Sequence, residues 1–136
     1  MFFHIAAVFL SILVLVSAPQ SAEAQRAAGG KMERKVLTQT PLAGQPNTIV
    51  IVARLTAYPG AALPKHTHFG DEFLYVLQGG KVRLGNGKIQ NLPTGASVHF
   101  PRGKVHGGFV VVGDKPIRSL TTHIVDKGKP LVSLVK

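Results

Sequence analysis

The residues of the sequence that are best suited to chemistry are a pair of histidines, His66 and His68, followed four residues later by Glu72. Residues two apart on a β-strand point to the same face, so both imidazoles can meet one ion. The turn-like residues 69–71 let the chain reverse, and Glu72 then opens the next strand beside the histidines. Neutral imidazoles and one carboxylate suit a borderline divalent metal, which here means manganese, iron, nickel, copper or zinc.

His106 is the fourth candidate ligand, because it follows the tight Pro-Arg-Gly turn at residues 101–103 and comes from a separate strand. An ion that accepts five or six ligands keeps one or two open positions beside four protein ligands, and open positions are typical of catalytic metals. Glu72 is also the candidate catalytic residue, since a monodentate carboxylate can detach and act as a base. We therefore predict one divalent metal ion bound by His66, His68, Glu72 and His106.

Short β-prone runs separated by turn signals make up the chain after Val36, and they must position these ligands. The runs are residues 48–58, 72–78, 81–84, 97–100, 109–112 and 117–125. Several of the fifteen glycines and nine prolines lie between the runs, which is typical of an antiparallel sandwich or barrel. Asn86-Gly87 favours a two-residue type I′ hairpin turn. No long stretch has the 3.6-residue period of an amphipathic helix, so the sequence predicts an all-β fold with little helix.

The glycines that frame the ligands complete a resemblance to a known family. Gly60, the two histidines, Glu72 and Gly79 have the spacing of the first motif of the cupin superfamily. After 15 further residues, Gly95, residues 101–103 and His106 resemble the second motif, and this short spacer is similar to that of compact single-domain bacterial cupins. The resemblance implies a cupin-type jelly-roll β-barrel in which the same four residues bind the metal. Val110 stands where the second motif usually ends in Asn, which questions the loop geometry more than the ion.

The first 24 residues have the layout of a secretory signal peptide. Residues 2–18 are almost wholly apolar, and the small-x-small triplet at residues 22–24 predicts cleavage after Ala24. An uncleaved membrane anchor is the alternative, because the apolar run is just long enough to span a bilayer. We predict a flexible leader at 25–35 and one β-barrel domain at 36–136. The mature protein is expected in the periplasm or outside the cell, without stable membrane association.

The charge and the absence of cysteine restrict the possible partners. A net charge of +10 raises nucleic acid or an anionic membrane as partners. However, the basic residues are scattered in ones and twos, and export removes contact with nucleic acid, so we predict no nucleic-acid partner. A solvated basic surface is the simplest interpretation, and attraction of an anionic substrate is the alternative. Without cysteine, a metal must be held by imidazole and carboxylate.

Several other side chains have less certain roles. His99 is expected to be an exposed strand histidine, with hydrogen bonding to a ligand or acid–base chemistry as the alternative. His123 is expected on the surface, with a place in the cavity as the alternative. Tyr75 has the opposite strand parity to Glu72, which favours packing between sheets or a subunit contact. The remaining aromatic candidates, Phe73, Phe100 and Phe109, are predicted to be core residues, some of them lining the cavity.

The metal site and the resemblance lead to two main functional hypotheses. Metal cupins include dioxygenases, isomerases, decarboxylases, lyases and oxalate-degrading enzymes, so the fold does not fix the reaction. The first hypothesis is an exported metal-dependent oxidoreductase, dioxygenase-like, that acts on a small organic molecule. The second is a non-catalytic small-ligand or metal-binding module, and a secreted structural protein would explain neither the histidines nor the glycines. We also expect a homodimer that pairs through the apolar strand at residues 48–58.

Overall fold

The computed structural model describes residues 30–136. The predicted signal peptide at 1–24, its cleavage site and the first part of the predicted leader therefore lie outside the described residues. Within residues 30–136 the chain forms eleven β-strands and no helix, so the all-β prediction is confirmed. This part of the chain accordingly contains no helix with the length and apolar character needed to cross a membrane.

The strands follow the predicted runs closely. In chain order they are β1 (Met32–Leu42), β2 (Gln45–Ala57), β3 (Ala62–Leu63), β4 (His66–Thr67), β5 (Gly70–Gln78), β6 (Gly80–Leu84), β7 (Ile89–Leu92), β8 (Ser97–Phe100), β9 (Phe109–Val112), β10 (Ile117–Asp126) and β11 (Ser133–Leu134). The six predicted runs correspond to β2, β5, β6, β8, β9 and β10. The strands that were not predicted are of two kinds. Strands β3, β4, β7 and β11 are two to four residues long, and β1 is exposed along most of its length.

Two antiparallel sheets enclose the core. The first has five strands in the order β1-β2-β10-β5-β8, and the second has four in the order β3-β9-β6-β7. A further pair, β11-β4, carries one of the predicted ligands. Buried residues from both sheets form one core cluster of Ala57, Ala61, Val82, Val111 and Ile117. The two sheets therefore pack face to face around a shared interior, which is the jelly-roll barrel that the resemblance implies.

Strand β5 shows the two-residue alternation that places Glu72 inside the barrel. Glu72 and Val76 are buried, whereas Phe73, Tyr75 and Leu77 are 43%, 47% and 45% exposed on the outer face of the sheet. The parity predicted for this strand is confirmed. The prediction that Phe73 is a core residue is wrong, because its parity points it away from the interior.

Strand β1 extends into the segment that was predicted to be a flexible leader. Residues 32–35 pair with β2, in a register that joins Met32 to Ala57 and Lys35 to Arg54. This segment forms a strand because its backbone pairs with β2, although its side chains show no clear apolar alternation. Strand β2, which was expected to be a free edge for dimer formation, is flanked by β1 on one side and β10 on the other. Within residues 30–136, the two edge strands of this sheet are β1 and β8.

The hairpin between β6 and β7 lies at the predicted place but has a different turn. The backbone N–H of Gly87 donates to the carbonyl of Leu84 at 2.9 Å, and the N–H of Leu84 donates to the carbonyl of Lys88 at 2.9 Å. Gly87 has a φ of 81°, and no residue other than glycine has a positive φ in residues 30–136. A type I′ turn would need a positive φ at Asn86 as well. The hydrogen bonds instead leave a loop of three residues, 85–87, between Leu84 and Lys88.

Candidate metal centre

The four predicted ligands converge from three parts of the chain. His66 lies on β4, His68 follows this strand, and Glu72 lies near the start of β5. His106 is held opposite His66 by two backbone hydrogen bonds of 2.9 and 3.0 Å between the two residues. One possible ligand atom from each of the four residues lies within 4.8 Å of all the others. The structure therefore brings together the whole set that the sequence predicts.

The cluster is tight and largely shielded from solvent. Oε2 of Glu72 lies 3.0 Å from Nε2 of His68 and 2.9 Å from Nε2 of His106, and these two nitrogens are 3.2 Å apart. His66 packs its ring against His106 with centroids 4.2 Å apart. His66 and His68 are each 4% exposed and Glu72 is 5% exposed. Phe100 stacks on the ring of His106 at 4.1 Å, which covers the cluster on that side.

A backbone carbonyl fixes the orientation of each of the three imidazoles. Nδ1 of His66 donates to the carbonyl of Pro64 at 2.9 Å, and Nδ1 of His106 donates to that of Lys104 at 2.9 Å. Nδ1 of His68 donates to the carbonyl of Leu131. With the proton of each neutral ring placed on Nδ1, the Nε2 lone pair is left for a ligand bond. The carbonyls thus orient three metal-binding nitrogens before any ion arrives.

The four candidate ligands suit a cation, because hydrogen-bond acceptors face one another at the centre of the cluster. When Nδ1 carries the only proton of each ring, two Nε2 lone pairs and an ionised carboxylate meet at about 3 Å without a shared hydrogen. Burial alone would raise the pKa of Glu72, but its hydrogen bond to His68 and the charges of the surrounding histidines hold it at about 2. A positive charge therefore belongs at this point, supplied by a divalent ion or, in its absence, by a proton.

The C-terminal segment supports two of the candidate ligands. Strand β11 pairs with β4, joining Leu134 to His66, and the N–H of Val135 donates to the carbonyl of Lys65 at 3.0 Å. The carbonyl that orients His68 belongs to Leu131, just before β11. The end of the chain is thus part of the metal centre, although no residue in it can bind a metal through its side chain.

His123 lies inside the barrel, so the prediction that it is on the surface is wrong. Its residue exposure is 0%, and its Nε2 is 3.8 Å from Oε1 of Glu72. Nη1 of Arg34 donates to the same Nε2 at 3.0 Å, which fixes the proton of the neutral ring on Nδ1. Burial lowers the pKa of His123 to about 4. In the described part of the chain, Nδ1 has no hydrogen-bond partner.

The remaining sequence candidates divide between the outer face of the five-stranded sheet and the interior of the barrel. His99 is exposed on the outer face, as predicted, and stacks on Phe73 with ring centroids 4.5 Å apart. Tyr75 is exposed on the same face. Phe100 and Phe109 are partly buried and line the interior cavity, in agreement with the prediction. The side chains of His99, Phe73 and Tyr75 lie on the face of the sheet opposite to that of Glu72.

A cavity of about 140 Å³ adjoins the cluster. Three of the four ligands, His66, Glu72 and His106, form part of its wall, and Arg34 and Ser119 are its other polar residues. The rest of the wall consists of Met32, Leu55, Ala57, Leu63, Leu74, Val76, Leu92, Ala96, Val98, Phe100, Gly107, Phe109 and Ile117. A small molecule in this space would therefore lie beside three of the candidate ligands and against a mostly apolar surface.

Gly107 offers a local test of the metal centre, because a methyl group there would disturb His66. A Cβ at Gly107 would lie 2.5 Å from the carbonyl oxygen of Pro64 and 3.1 Å from Nδ1 of His66. Gly107→Ala should therefore displace the hydrogen bond that orients this ligand and lower zinc affinity about 10-fold or more. Zinc titration calorimetry on the folded variant would measure the change.

Gly44→Ala is the matched control for the backbone. Gly107 and Gly44 have φ values of 81° and 75°, so alanine adds a similar strain of about 1–2 kcal/mol at either position. No atom lies within 4 Å of a Cβ at Gly44, and this residue is in the β1–β2 turn. Equal zinc affinity in the two variants would show that the Pro64 contact does not hold His66 in place.

Comparison with known proteins agrees with the fold and the site. Residues 53–123, slightly more than half of the chain, match the Cupin domain family. The chain therefore belongs to the cupin domain family, and the matched residues include all four predicted ligands. No curated protein sequence matches the chain significantly.

Solved structures similar to this chain are of several kinds. The polyketide cyclase RemF from Streptomyces resistomycificus is 25% identical with a TM-score of 0.59, over 82% of this chain and 76% of that one. A conserved protein with a double-stranded β-helix domain from Klebsiella pneumoniae is 22% identical with a TM-score of 0.56, over 88% and 98% of the two chains. The DMSP lyase DddQ from Ruegeria pomeroyi is 17% identical with a TM-score of 0.55, over 91% of this chain but 59% of the lyase. The last two likenesses show the fold alone.

Proposed function

We propose that this chain is a metal-dependent enzyme that acts on a small organic molecule in the cavity beside the four ligands. The observation that carries the proposal is the arrangement of three imidazole Nε2 atoms and one carboxylate, with each Nδ1 bonded to a backbone carbonyl. His66, Glu72 and His106 also line the cavity, so an ion bound by them would be within reach of a ligand there. A metal with open positions facing such a cavity is typical of catalytic sites.

The reaction that we propose is an oxidation of the dioxygenase type. A bound redox-active ion such as iron, manganese or copper would supply the oxygen chemistry. The cavity wall supports this choice because, in the part of the chain that the structure describes, its only ionisable residue apart from the ligands is Arg34, which keeps its proton. The wall thus offers no other group to move protons. The apolar side chains exclude water from the reacting molecule.

Glu72 is better suited to hold the ion than to act as a base. Its pKa of about 2 makes it a weak proton acceptor as long as the surrounding histidines stabilise the carboxylate. It could serve as a base only after leaving the ion and losing part of that stabilisation. We therefore assign Glu72 first as a metal ligand and second as the candidate base.

A second candidate is a cyclisation or elimination in which the ion polarises a carbonyl group. The likeness to the polyketide cyclase RemF, at 25% identity, favours it. This reaction needs no oxygen and no redox-active metal, so zinc would support it. The two candidates therefore differ in which metals give activity and in whether oxygen is consumed.

Oxygen uptake by protein loaded with iron(II), manganese(II) or zinc should separate these reactions. With a panel of small phenols, enols and carboxylates, we expect compound-dependent oxygen uptake with iron or manganese and none with zinc. Product formation by zinc-loaded protein without oxygen would favour the cyclisation or elimination. The absence of any product from metal-loaded protein would contradict an enzyme and leave a non-catalytic small-ligand or metal-binding cupin.

We also propose that the protein is exported to the periplasm or beyond. The apolar run at residues 2–18, the small-x-small triplet at residues 22–24 and the absence of cysteine support this proposal. N-terminal sequencing after cell fractionation should give a periplasmic or secreted chain that begins at Gln25. A chain that keeps Met1 and stays with the membrane would favour the anchor.

Pairing of two copies is proposed through β1 rather than β2. Strand β1 is an edge strand of 11 residues, and its Val36 and Leu37 are each 49% exposed. An exposed edge of this length presents unpaired backbone groups that a second copy can meet. Light scattering after size exclusion should give the mass of a dimer, and a monomer at micromolar concentration would contradict the proposal.

A further inference from the structure

We propose that Arg34 is an anion-binding residue of the cavity, and that the ligand is a small carboxylate with an apolar body about the size of an aromatic ring. The inference rests on the proposed function in placing the ligand beside the metal centre. It adds the charge and the size of that ligand and the residue that recognises it. Four features of the structure support it, namely the direction of Arg34, its unused donors, the balance of charge and the shape of the wall.

Arg34 enters the cavity because of its parity on β1. It pairs with Leu55 on β2, and both residues line the cavity. The neighbouring Lys35 pairs with Arg54 on the opposite face. Arg34 is exposed at the edge of the sheet, but its Nη1 points inward and lies 3.0 Å from Nε2 of His123. The strand thus points one cation inward and the next one outward.

Most of the hydrogen-bonding capacity of Arg34 is unused. A guanidinium group has five N–H donors in a planar fork that matches a carboxylate. In the structure of residues 30–136, Arg34 makes a single side-chain hydrogen bond, to His123. No carboxylate in these residues forms an ion pair with it. The remaining donors are available to a ligand.

The charge of the loaded site also favours an anion. Among residues 30–136, Glu72 is the only acidic residue in the cavity wall, and a divalent ion would more than neutralise it. The positive charge of Arg34 would then have no counter-ion beside a mostly apolar wall, which is a costly state that an anionic ligand relieves. The net charge of +10 further raises the rate at which anions meet the protein.

The cavity limits the size and the character of the rest of the ligand, beyond its carboxylate. Its volume of about 140 Å³ is close to that of the apolar cavity of about 150 Å³ that holds benzene. Leu74, Phe100 and Ile117 are among the side chains that would contact the body of the ligand. Arg34 would bind its carboxylate, while the metal ligands lie in the same wall. A ring-sized carboxylate therefore satisfies both the polar and the apolar parts of the cavity.

Benzoate and its uncharged analogue benzamide test the inference with the same shape and a different charge. NMR titration of ¹⁵N-labelled protein, with and without zinc, would give the affinity for each compound and the residues affected. Wild-type protein should bind benzoate at least about 10-fold more tightly than benzamide, since hydrogen bonds to charged groups contribute about 1.5–3 kcal/mol. Arg34→Gln should abolish this preference, and Arg34→Lys should keep part of it.

Lys35→Gln is the matched control, because it removes a positive charge from the outward side of the same strand. It should keep the preference of the wild-type protein. An equal preference in Arg34→Gln and Lys35→Gln, or no saturable binding of benzoate to wild-type protein, would overturn the inference. Failure of zinc to bind would instead count against the proposed function, and the preference for benzoate would still be measured on the metal-free sample.

Discussion

Replacing His106 with alanine should lower the affinity for a divalent metal ion at least about 100-fold. The side chain supplies one of four converging ligands, and its Nε2 lies 2.9 Å from Glu72 and 3.2 Å from Nε2 of His68. Loss of a group that only orients a ligand costs about 10–100-fold in affinity, so the loss of a ligand itself should cost more. Zinc titration and metal analysis by mass spectrometry would measure the effect.

The fold should survive this change, because His106 is joined to the barrel by its backbone. Its N–H and carbonyl pair with those of His66, and alanine keeps both. The main packing loss is the stacked contact with Phe100. A thermal melt of the metal-free variant would verify that it remains folded.

His99→Ala is the matched control for the same type of residue. His99 lies on the outer face of the large sheet, and its side chain is 46% exposed. Its removal should leave metal affinity unchanged. If the His106 and His99 variants bind zinc equally well, the assignment of His106 as a ligand is wrong.

The ligand set could be predicted from the sequence because its geometry is local. His66 and His68 are two residues apart, and the short turn before Glu72 returns the chain to the same place. His106 lies further along the chain, and the spacing of its glycines and of the Pro-Arg-Gly turn identified it through the family resemblance. The parity of β5 followed from strand geometry and correctly placed Glu72 and Tyr75 on opposite faces of the sheet.

Arg34 and His123 were missed because non-local pairing decides their positions. Strand β1 is an exposed edge strand, so its sequence lacks the apolar alternation that would have revealed it. Only its register with β2 turns Arg34 inward. Strand β10 has apolar residues on both faces, with Ile117 and Val125 on the buried face and Leu120 and Ile124 on the other. The sequence of β10 is therefore compatible with either face of the strand being buried. The neighbouring strands are needed to show that the face with His123 is the buried one.

These two residues change the chemical description of the site. The sequence alone predicts a metal ion with three histidines and one carboxylate. The structure adds a buried imidazole 3.8 Å from that carboxylate and a guanidinium group bonded to the imidazole. Both lie on the side of the cluster formed by the large sheet. The candidate metal centre therefore has a cationic neighbour, and we expect this neighbour to give a charge preference that the ligands alone would not explain.

Acidification should weaken metal binding at least about tenfold for each pH unit below the pKa of His68. Burial by itself would lower the pKa of His68, but its hydrogen bonds to Glu72 and to the carbonyl of Leu131, together with the negative charge of Glu72, outweigh burial and raise the pKa above its usual value. Below this pKa, Nε2 carries a proton that donates to Glu72, and a metal ion must displace it. Above it, the lone pair is free. Metal affinity should therefore have its full value above the raised pKa and fall as the pH drops through that pKa.

The other ligands with shifted pKa values should not compete in the same range. Glu72, with a pKa of about 2, stays ionised, and burial lowers the pKa of His66, so its nitrogen loses its proton at lower pH. Zinc titration calorimetry from about pH 5.5 to 8 would follow the effect. Glu72→Gln removes the negative charge that helps to raise the pKa of His68, so the onset of the decline should move to lower pH, although the absolute affinity is weaker. An onset that stays at the same pH in this variant would show that the pairing of His68 with Glu72 does not control the competition between proton and metal.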